Sequence, residues 1–233
     1  MPELPDLELY LHALGPRLVG QRLHRIRLGS PFLVRSVDPP TKSADGKIVA
    51  GLRRLGKRVV FVLEDDLFLV IHLMIAGRFK WKEAGARIPG KVGLAAFDFP
   101  NGTLLLTEAG SQRRASMYLV RGEPALAALD PGGIEVLGST AAEFAGVLTR
   151  ENHTLKRALT DPHFFSGIGN AYSDEILHAA RLSPMQLTSK LTPAQITGLH
   201  GHVVSVLTKW RDALIAETGE GFPEKATAFR EEM

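Results

Sequence analysis

The N-terminal part of the chain carries a hydrophobic stripe with the spacing of a helix. Leucines recur at steps of three and four residues, which places them on one face of an amphipathic helix. These are Leu4, Leu7, Leu11, Leu14 and Leu18. The pattern predicts a first helix that begins near Pro5 and ends near Gly20.

Between positions 23 and 120 the pattern changes to short apolar runs separated by turn-forming residues. The clearest runs are residues 59–63, 67–71, 94–99 and 104–106. Asn101 and Gly102 lie between the last two runs, and both residue types tolerate the positive φ of a tight hairpin turn. A series of such hairpins predicts an antiparallel β-sandwich.

Turn-forming residues cluster again at positions 130–133, and helical spacing follows them. Thr140 and Glu143 have the i, i+3 spacing of a capping box, which marks the start of a helix. Thr192 and Gln195 repeat this pattern before a long apolar face, which predicts a helix that packs in a core.

The chain is therefore predicted to be an α+β protein with two domains. An N-terminal β-sandwich flanked by helices would occupy residues 1–131, and a C-terminal helical domain would occupy residues 132–233. The boundary is placed in the turn cluster because few contacts cross such segments.

Composition narrows the class of protein further. The 233 residues are 45% hydrophobic and 23% charged, which is the balance of a folded chain. No apolar stretch approaches the roughly 18 residues of a membrane-spanning helix. The start Met-Pro-Glu-Leu-Pro-Asp lacks the basic and apolar regions of a signal peptide. We expect a cytoplasmic monomer without a membrane partner, associated with the nucleoid if the source is bacterial.

The chain has no cysteine, which excludes disulfides, thiolate nucleophiles and cysteine-ligated zinc within it. Eight histidines remain, but the sequence has no His-Glu-x-x-His motif. His200 and His202 are two positions apart on a predicted helix and therefore point to different sides of it. No metal site is predicted.

The charge distribution is uneven along the chain. The formal net charge is only +3, but residues 17–58 hold eleven basic side chains against two acidic ones. A local excess of this kind is typical of a surface that faces nucleic acid. The alternative is a solvated surface on which the charges are dispersed.

The N-terminal residues could form a nucleophile. If Met1 is removed, as is usual before a small second residue, Pro2 gains a free secondary amine. Such an amine can attack the anomeric carbon of a sugar and form a Schiff base, and Glu3 beside it could move protons. A retained Met1 would leave an amide without a nucleophilic lone pair. The alternative is that Pro2 and Pro5 only shape the entry to the first helix.

A second candidate site lies in residues 167–177. A dinucleotide-binding loop would need a glycine where Tyr172 stands, and helical spacing rather than a strand precedes the segment. The spacing instead predicts two helices joined by a glycine turn, where backbone N–H groups and the Asn170 amide could hold an anion. Alternatively, Asn170 is an ordinary helix cap.

Taken together, these motifs resemble the formamidopyrimidine-DNA glycosylase and endonuclease VIII family. The N-terminus is similar to the family's Pro-Glu-Leu-Pro start, with Asp6 where a glutamate is usual. Residues 167–177 resemble its helix-two-turn-helix signature. Lys57 resembles its hairpin lysine, and the His-Leu pair at His72 resembles the start of its His-Leu-Gly-Met-Ser-Gly segment.

The resemblance implies a β-sandwich and a helical domain that contains the helix-two-turn-helix, with damaged DNA bound between them. It implies a base-excision-repair glycosylase that also cleaves abasic sites through a Schiff base on the N-terminal proline. The damaged nucleotide would be flipped out of the stack, because its reacting atoms are otherwise inaccessible.

The resemblance also implies residue roles. Pro2 would be the nucleophile, Glu3 the proton shuttle, and Lys57 a phosphate contact or an acid near the sugar. The implied DNA-binding residues are His72, Ile75, Arg113, Arg114, Lys156 and Asn170.

Three features depart from the family pattern. Ile75 stands where a wedging methionine is frequent, and Ala115 stands where an aromatic wedge is usual, although Arg113 and Arg114 are kept. The sequence ends at Met233, where the family's four-cysteine zinc hairpin would begin. Either the zinc hairpin lies outside this sequence or another element replaces it, so we expect no zinc hairpin and no cofactor within this chain.

Two other functions stay open at this point. The first is a non-catalytic binder of damaged or distorted DNA with the same fold, which the changes at Ile75 and Ala115 favour. The second is a small-molecule enzyme that uses Glu3 as a base, for which DNA would be irrelevant. The combination of Pro2, Glu3 and Lys57 favours the repair enzyme.

Overall fold

A computed structural model describes residues 1–110, 113–223 and 226 of the chain. Two parts of the predictions lie outside these described residues. They are positions 111 and 112 of the segment with the two arginines, and the end of the second domain, namely residues 224, 225 and 227–233.

The predicted first helix is confirmed as α1 (Leu4–Leu18). Leu4, Leu7 and Leu14 are fully buried, so the leucine stripe faces the interior as its spacing requires. Tyr10 on the same helix packs edge-on against the ring of Phe79, with 5.2 Å between the ring centroids. The helix is thereby fixed against the sheet that carries Phe79.

The predicted β-sandwich is also confirmed. Its strands are β1 (Arg25–Leu28), β2 (Val49–Leu55), β3 (Arg58–Leu63), β4 (Leu67–His72), β5 (Gly77–Lys82), β6 (Gly93–Phe99), β7 (Gly102–Glu108) and β8 (Ser116–Arg121). One sheet has the order β1-β6-β7-β5 and the other β2-β3-β4-β8, and all neighbours are antiparallel. Phe99 pairs with Gly102, so the hairpin joins the predicted strands, but its turn consists of Pro100 and Asn101, one residue before the predicted pair. Neither Asn101 nor Gly102 has the positive φ on which the prediction rested.

The space between the two sheets is filled by apolar side chains from their inner faces. Phe61 of β3 and Phe97 of β6 are both fully buried and meet edge to face at 5.9 Å. Two packed antiparallel sheets require apolar side chains of this kind on the faces that they turn toward each other. The sandwich places the turn between β2 and β3 at one end, where Lys57 lies.

The C-terminal part is helical, as predicted. Helix α2 (Glu123–Ala127) still belongs to the sandwich side, where Leu126 packs against β3 and β4. Beyond the turn cluster the helices are α3 (Ala141–Leu148), α4 (Leu155–Thr160), α5 (Asn170–Ala180) and α6 (Pro193–Thr218). Both capping boxes are present: Thr140 Oγ1 accepts a hydrogen bond from Glu143 N, and Thr192 Oγ1 accepts one from Gln195 N.

Hydrophobic contacts cross the predicted boundary between residues 131 and 132. Helix α6 has 26 residues and is therefore about 39 Å long, more than one small core can cover. Its Leu207 packs in the helical core, whereas its Leu214 packs in the core of the sandwich. Leu4 of α1 conversely packs in the helical core. The two domains share helices, and the residue at which one ends stays a prediction.

Within the described part of the chain, no helix is both long enough and apolar enough to cross a membrane.

Candidate active site

The carboxylate of Glu3 lies at the N-terminus of helix α5. Glu3 directly precedes α1 and is 4% exposed. Its oxygens accept hydrogen bonds from three backbone N–H groups, those of Gly169 at 2.7 Å, Ala171 at 3.0 Å and Tyr172 at 3.2 Å. The first N–H groups of a helix have no partner within it, and the helix dipole is positive there, so this position suits a carboxylate.

The glycine turn between α4 and α5 makes this approach possible. The Gly167 carbonyl accepts a hydrogen bond from Leu4 N at 2.9 Å. Gly167 has a φ of +82°, which residues other than glycine rarely adopt. At Gly169, a Cβ atom would lie 2.5 Å from Glu3 Cδ and 2.7 Å from Lys57 Nζ. Only glycine therefore leaves room for both side chains at this position.

Lys57 enters the same place from the sandwich. It lies in the turn between β2 and β3, where Gly56 has a φ of +59°. Burial lowers the pKa of Lys57, and the charge of Glu3 partly opposes this effect. An amine with a lowered pKa releases its proton more readily than an exposed lysine, which suits proton transfer.

Pro2 is buried next to Glu3, whereas Met1 is 43% exposed. Burial, followed by the positive charge of Arg78, lowers the pKa of the Met1 amine. The structure thus brings the three predicted catalytic residues to one site. Arg78 was not predicted, although its position three residues after Ile75 places it next to the predicted wedge.

Asp6 is a buried carboxyl that the sequence analysis noted only as a departure from the family. Its Oδ2 accepts a hydrogen bond from Glu3 N at 2.8 Å, which fixes the first turn of α1. Burial raises the pKa of Asp6 to about 7, and the Glu3 charge adds to this effect. Burial also raises the pKa of Tyr172, together with the charges of Asp6 and Glu3. Asp6 is the third residue of α1, and an acidic residue at that position is the sequence signal for such a cap.

His72 lies at the end of β4 and is neutral at physiological pH. Burial, with the charges of Arg58 and Lys57, lowers the pKa of His72 to about 4. Its Nδ1 accepts a hydrogen bond from Met74 N at 3.1 Å, which assigns the ring proton to Nε2. A neutral imidazole in this tautomer can donate one hydrogen bond to a phosphate oxygen.

Asn170 and Lys156 lie together at the start of α5, and they differ in availability. Asn170 is exposed and is the first residue of the helix. Lys156 Nζ donates to the Asn170 carbonyl at 2.6 Å and pairs with Asp174 at 2.6 Å. The Lys156 charge is therefore partly balanced within the protein, and its visible role is to hold the helix start.

A cavity of about 570 Å³ opens between the sandwich and the segment that follows α6. Its lining is basic and aromatic, and includes Arg78, Lys80, Trp81, Thr107 and Phe222. No group of three or more potential metal-binding side chains occurs among residues 1–110, 113–223 and 226.

The comparisons with known proteins agree with this architecture. The sequence model of the formamidopyrimidine-DNA glycosylase N-terminal domain matches residues 1–113, and that of the family's helix-two-turn-helix domain matches residues 134–217. The chain belongs to the formamidopyrimidine-DNA glycosylase family. The boundary between the two matches falls in the region where the turn residues cluster.

Formamidopyrimidine-DNA glycosylases from two bacteria illustrate the similarity. The Moorella thermoacetica protein is 30% identical over 214 residues, which cover 89% of this chain and 77% of that protein. The Solibacter usitatus protein is 31% identical over 211 residues, covering 90% and 76%. The Lactococcus lactis formamidopyrimidine-DNA glycosylase, solved with DNA containing an AP site, superposes with a TM-score of 0.81 at 26% identity, over 89% of this chain and 80% of that one.

The two positions at which the chain departs from this glycosylase family differ in exposure. Ile75 lies between β4 and β5 and is 62% exposed, as a wedge residue must be. Ala115 is 3% exposed and packs in the core of the sandwich, so its side chain cannot reach DNA. Arg113 and Arg114 are exposed; Arg113 Nη2 donates to the Lys91 carbonyl at 2.5 Å.

We predict that Gly169→Ala destabilises the protein by about 1–3 kcal/mol, because the new Cβ displaces Glu3 from the three N–H groups. Urea unfolding measures this change. Gly146→Ala is the matched control, since it lies in α3 with open space around it, and we expect it to stabilise by about 0.5–1 kcal/mol. Equal stability of Gly169→Ala and the native protein would show that Glu3 is not held in this way.

A second prediction concerns pH. The pKa of Asp6 is about 7 in the folded protein and 3.8 in the unfolded chain, so the folded protein keeps this proton to a higher pH. The stability from this proton is complete below the lower value and is lost as pH rises to the higher one, at about 1.4 kcal/mol per pH unit.

Asp6→Asn keeps an acceptor for Glu3 N and removes the titration. The difference in unfolding free energy between the native protein and Asp6→Asn should therefore fall from pH 4 to pH 7 and then level off. The lowered pKa of His72 makes the unfolding free energy rise with pH instead. This effect is the same in the native protein and in Asp6→Asn, so it cancels in the difference between them. A difference that does not change with pH would contradict the raised pKa of Asp6.

Proposed function

We propose that this chain is a DNA glycosylase of base excision repair that also cleaves abasic sites, with Pro2 as nucleophile after removal of Met1. The observation that carries the proposal is the meeting of Glu3 and Lys57 at Gly169, next to Pro2. This arrangement combines the Pro2 nitrogen, which becomes a secondary amine when Met1 is removed, with two groups that can transfer protons, Glu3 and Lys57. It lies at a helix-two-turn-helix that offers backbone N–H groups to anions.

The chemistry begins at the amine. Burial and the charge of Arg78 lower the pKa of the Met1 amine, and we expect the same surroundings to lower the pKa of the Pro2 amine once Met1 is removed. A lower pKa increases the neutral, nucleophilic fraction at physiological pH. The amine attacks C1′ of the damaged nucleotide, the glycosidic bond breaks, and the base leaves.

The later steps need proton transfer at the sugar. Opening of the deoxyribose ring requires a proton on O4′ and yields an iminium on Pro2. Loss of a C2′ proton then expels the 3′ phosphate and cuts the strand, after which water releases the sugar and restores the amine. Lys57 with its lowered pKa is placed to give a proton, and Glu3 is placed to accept one.

Three features of the surface support damaged DNA as the partner. The Nε2–H of His72 and the exposed Asn170 at the start of α5 are donors for phosphate oxygens. Residues 17–58 add a basic excess, part of which is balanced within the protein by carboxylates that pair with Arg25, Arg27, Lys47, Arg53 and Arg54. The cavity beside Arg78, which Phe222 also lines, is large enough for an extruded base. The cytoplasmic location, the monomeric state and the absence of a cofactor from this chain remain predictions.

The non-catalytic binder is the second candidate. The isoleucine at the exposed wedge position favours it. Both candidates predict binding to damaged DNA, so only the covalent chemistry separates them.

We predict that the protein without Met1 forms an adduct with abasic DNA that borohydride traps on Pro2. Pro2→Gly should slow trapping severely, and Glu3→Gln should slow strand cleavage by about 100-fold or more. Pro5→Ala is the matched control and should trap normally, because Pro5 is another buried proline on the same turn. Peptide mapping locates the adduct.

An adduct on a lysine would refute the assignment of Pro2. Tight binding of abasic DNA without any adduct, by protein shown to lack Met1, would identify the chain as the non-catalytic binder.

The wedge position gives a further prediction. A flipped base costs a few kcal/mol of stacking. Isoleucine has about the same volume as methionine, but its branched side chain is shorter, so we expect the exposed Ile75 to reach less far into the gap. An abasic nucleotide has no base to extrude, so cleavage at abasic sites should be faster than excision from paired duplex.

Ile75→Met should narrow the difference between these two rates, measured in single turnovers on matched duplexes. Ala115→Phe is not a usable test, because Ala115 is buried in the core. Equal rates for both substrates in the native protein would show that other residues fill the gap.

A further inference from the structure

Arg54 is a buried arginine at the contact between the sandwich and the helical part. It lies on β2, and its side chain is only 8% exposed. Its Nε donates to Glu8 Oε1 at 3.1 Å, and its Nη1 donates to the Gly56 carbonyl at 2.8 Å and to Ser166 Oγ at 3.1 Å. Its Nη2 pairs with the carboxylate of Glu135.

Each partner belongs to a segment that carries part of the active site. Glu8 is on α1, directly after the turn that Glu3 begins. Gly56 precedes Lys57 in the tight turn between β2 and β3. Ser166 precedes Gly167 in the glycine turn, and Glu135 lies beyond the predicted domain boundary. One guanidinium therefore contacts all three segments that meet at the site.

The geometry requires arginine. A guanidinium has five N–H donors in a planar fork, and here its three nitrogens donate to four separate acceptors. Lysine could keep the charge, but its single ammonium group could not reach acceptors on opposite sides. A charge as little exposed as this one needs partners, so the segments are held at fixed distances from one another.

The neighbouring Arg53 also forms an ion pair, but its partners all lie within the sandwich domain. Arg53 Nη2 donates to Glu123 at 2.6 Å, and its guanidinium lies 4.9 Å from the centroid of the Phe68 ring. Glu123 and Phe68 both lie on the sandwich side of the predicted boundary. Arg53 is therefore a matched control for Arg54: adjacent, also paired with a carboxylate, but without contact to the glycine turn.

We propose that Arg54 is a positioning residue that couples the docking of the helical part to the placement of Lys57 and Glu3. The proposal rests on the proposed function, because its main readout is cleavage of abasic DNA. Arg54 contacts no reacting atom; it acts through the Gly56 carbonyl and through Ser166. Loss of Arg54 should therefore slow the chemical step more than it weakens DNA binding.

The test compares Arg54→Met, Arg54→Lys and Arg53→Met, all without Met1. Single-turnover cleavage of abasic duplex is measured at saturating protein, with the dissociation constant measured separately on a non-cleavable analogue. We expect Arg54→Met and Arg54→Lys to cleave about tenfold more slowly or worse, because small displacements of catalytic groups are costly. The dissociation constants should stay within about threefold of the native value, and Arg53→Met should match the native protein in both.

Glu135→Gln supplies a second test, because Glu135 is half exposed and its loss threatens folding less. We expect it to slow cleavage by about threefold or more. Glu135 also accepts a hydrogen bond from Ser166 Oγ, and the amide oxygen of glutamine can keep that bond. Glu135→Gln therefore mainly changes the pair with Arg54, and the double variant with Arg54→Met should be no slower than Arg54→Met alone. Should Arg54→Met fail to fold, the split between rate and affinity in Glu135→Gln decides the matter.

Several outcomes would overturn the proposal. They are normal cleavage by Arg54→Met, a loss equal to that of Arg53→Met, a loss explained wholly by weaker binding, or additive effects in the double variant. A native protein that neither cleaves nor traps abasic DNA would overturn the proposed function and this inference together. An active native protein that is indifferent to Arg54 would overturn this inference alone.

Discussion

The active site depends on one buried carboxylate and the helix start that holds it. Glu3 is almost without solvent, so its oxygens need donors from the protein, and the free N–H groups of α5 supply three. The donors lie 166 or more residues away along the chain. Glu3 and the start of α5 therefore come into contact only when the helical part is docked on the sandwich. Gly169 follows from this requirement, since any side chain there would occupy the position of Glu3 and Lys57.

The same interaction organises the electrostatics around the N-terminus. Glu3 accepts three N–H bonds, whereas Asp6 accepts one, and burial raises the pKa of Asp6 to about 7. On the opposite side, burial lowers the pKa of Lys57 and of the terminal amine. Asp6, which holds its proton to higher pH, and the amines of Lys57 and Met1, which lose theirs at lower pH, thus lie around Glu3. Such opposed shifts are typical of sites that transfer protons at neutral pH.

The departures at Ile75 and Ala115 lie outside this cluster, whereas the departure at Asp6 lies within it. Ile75 is an exposed residue between two strands, and Ala115 is part of the core of the sandwich. Lys156 supports the start of α5 through Asp174. The proposed wedge position and the proposed proton-transfer groups therefore lie on different segments of the chain.

The sequence by itself determined the local elements and the motifs. The leucine spacing of α1, the two capping boxes and the glycine turn are all set by neighbouring residues, and each lies where the pattern predicts it. The hairpin turn lies one residue before the predicted Asn101-Gly102 pair. Only the tertiary structure decided which of them meet. That Glu3 caps α5, that Arg54 joins three segments, that Asp6 is buried and that Ala115 is not a wedge depend on contacts between residues far apart in sequence. The periodicity of a sequence indicates which face of a helix or strand is apolar, but not which other element that face packs against.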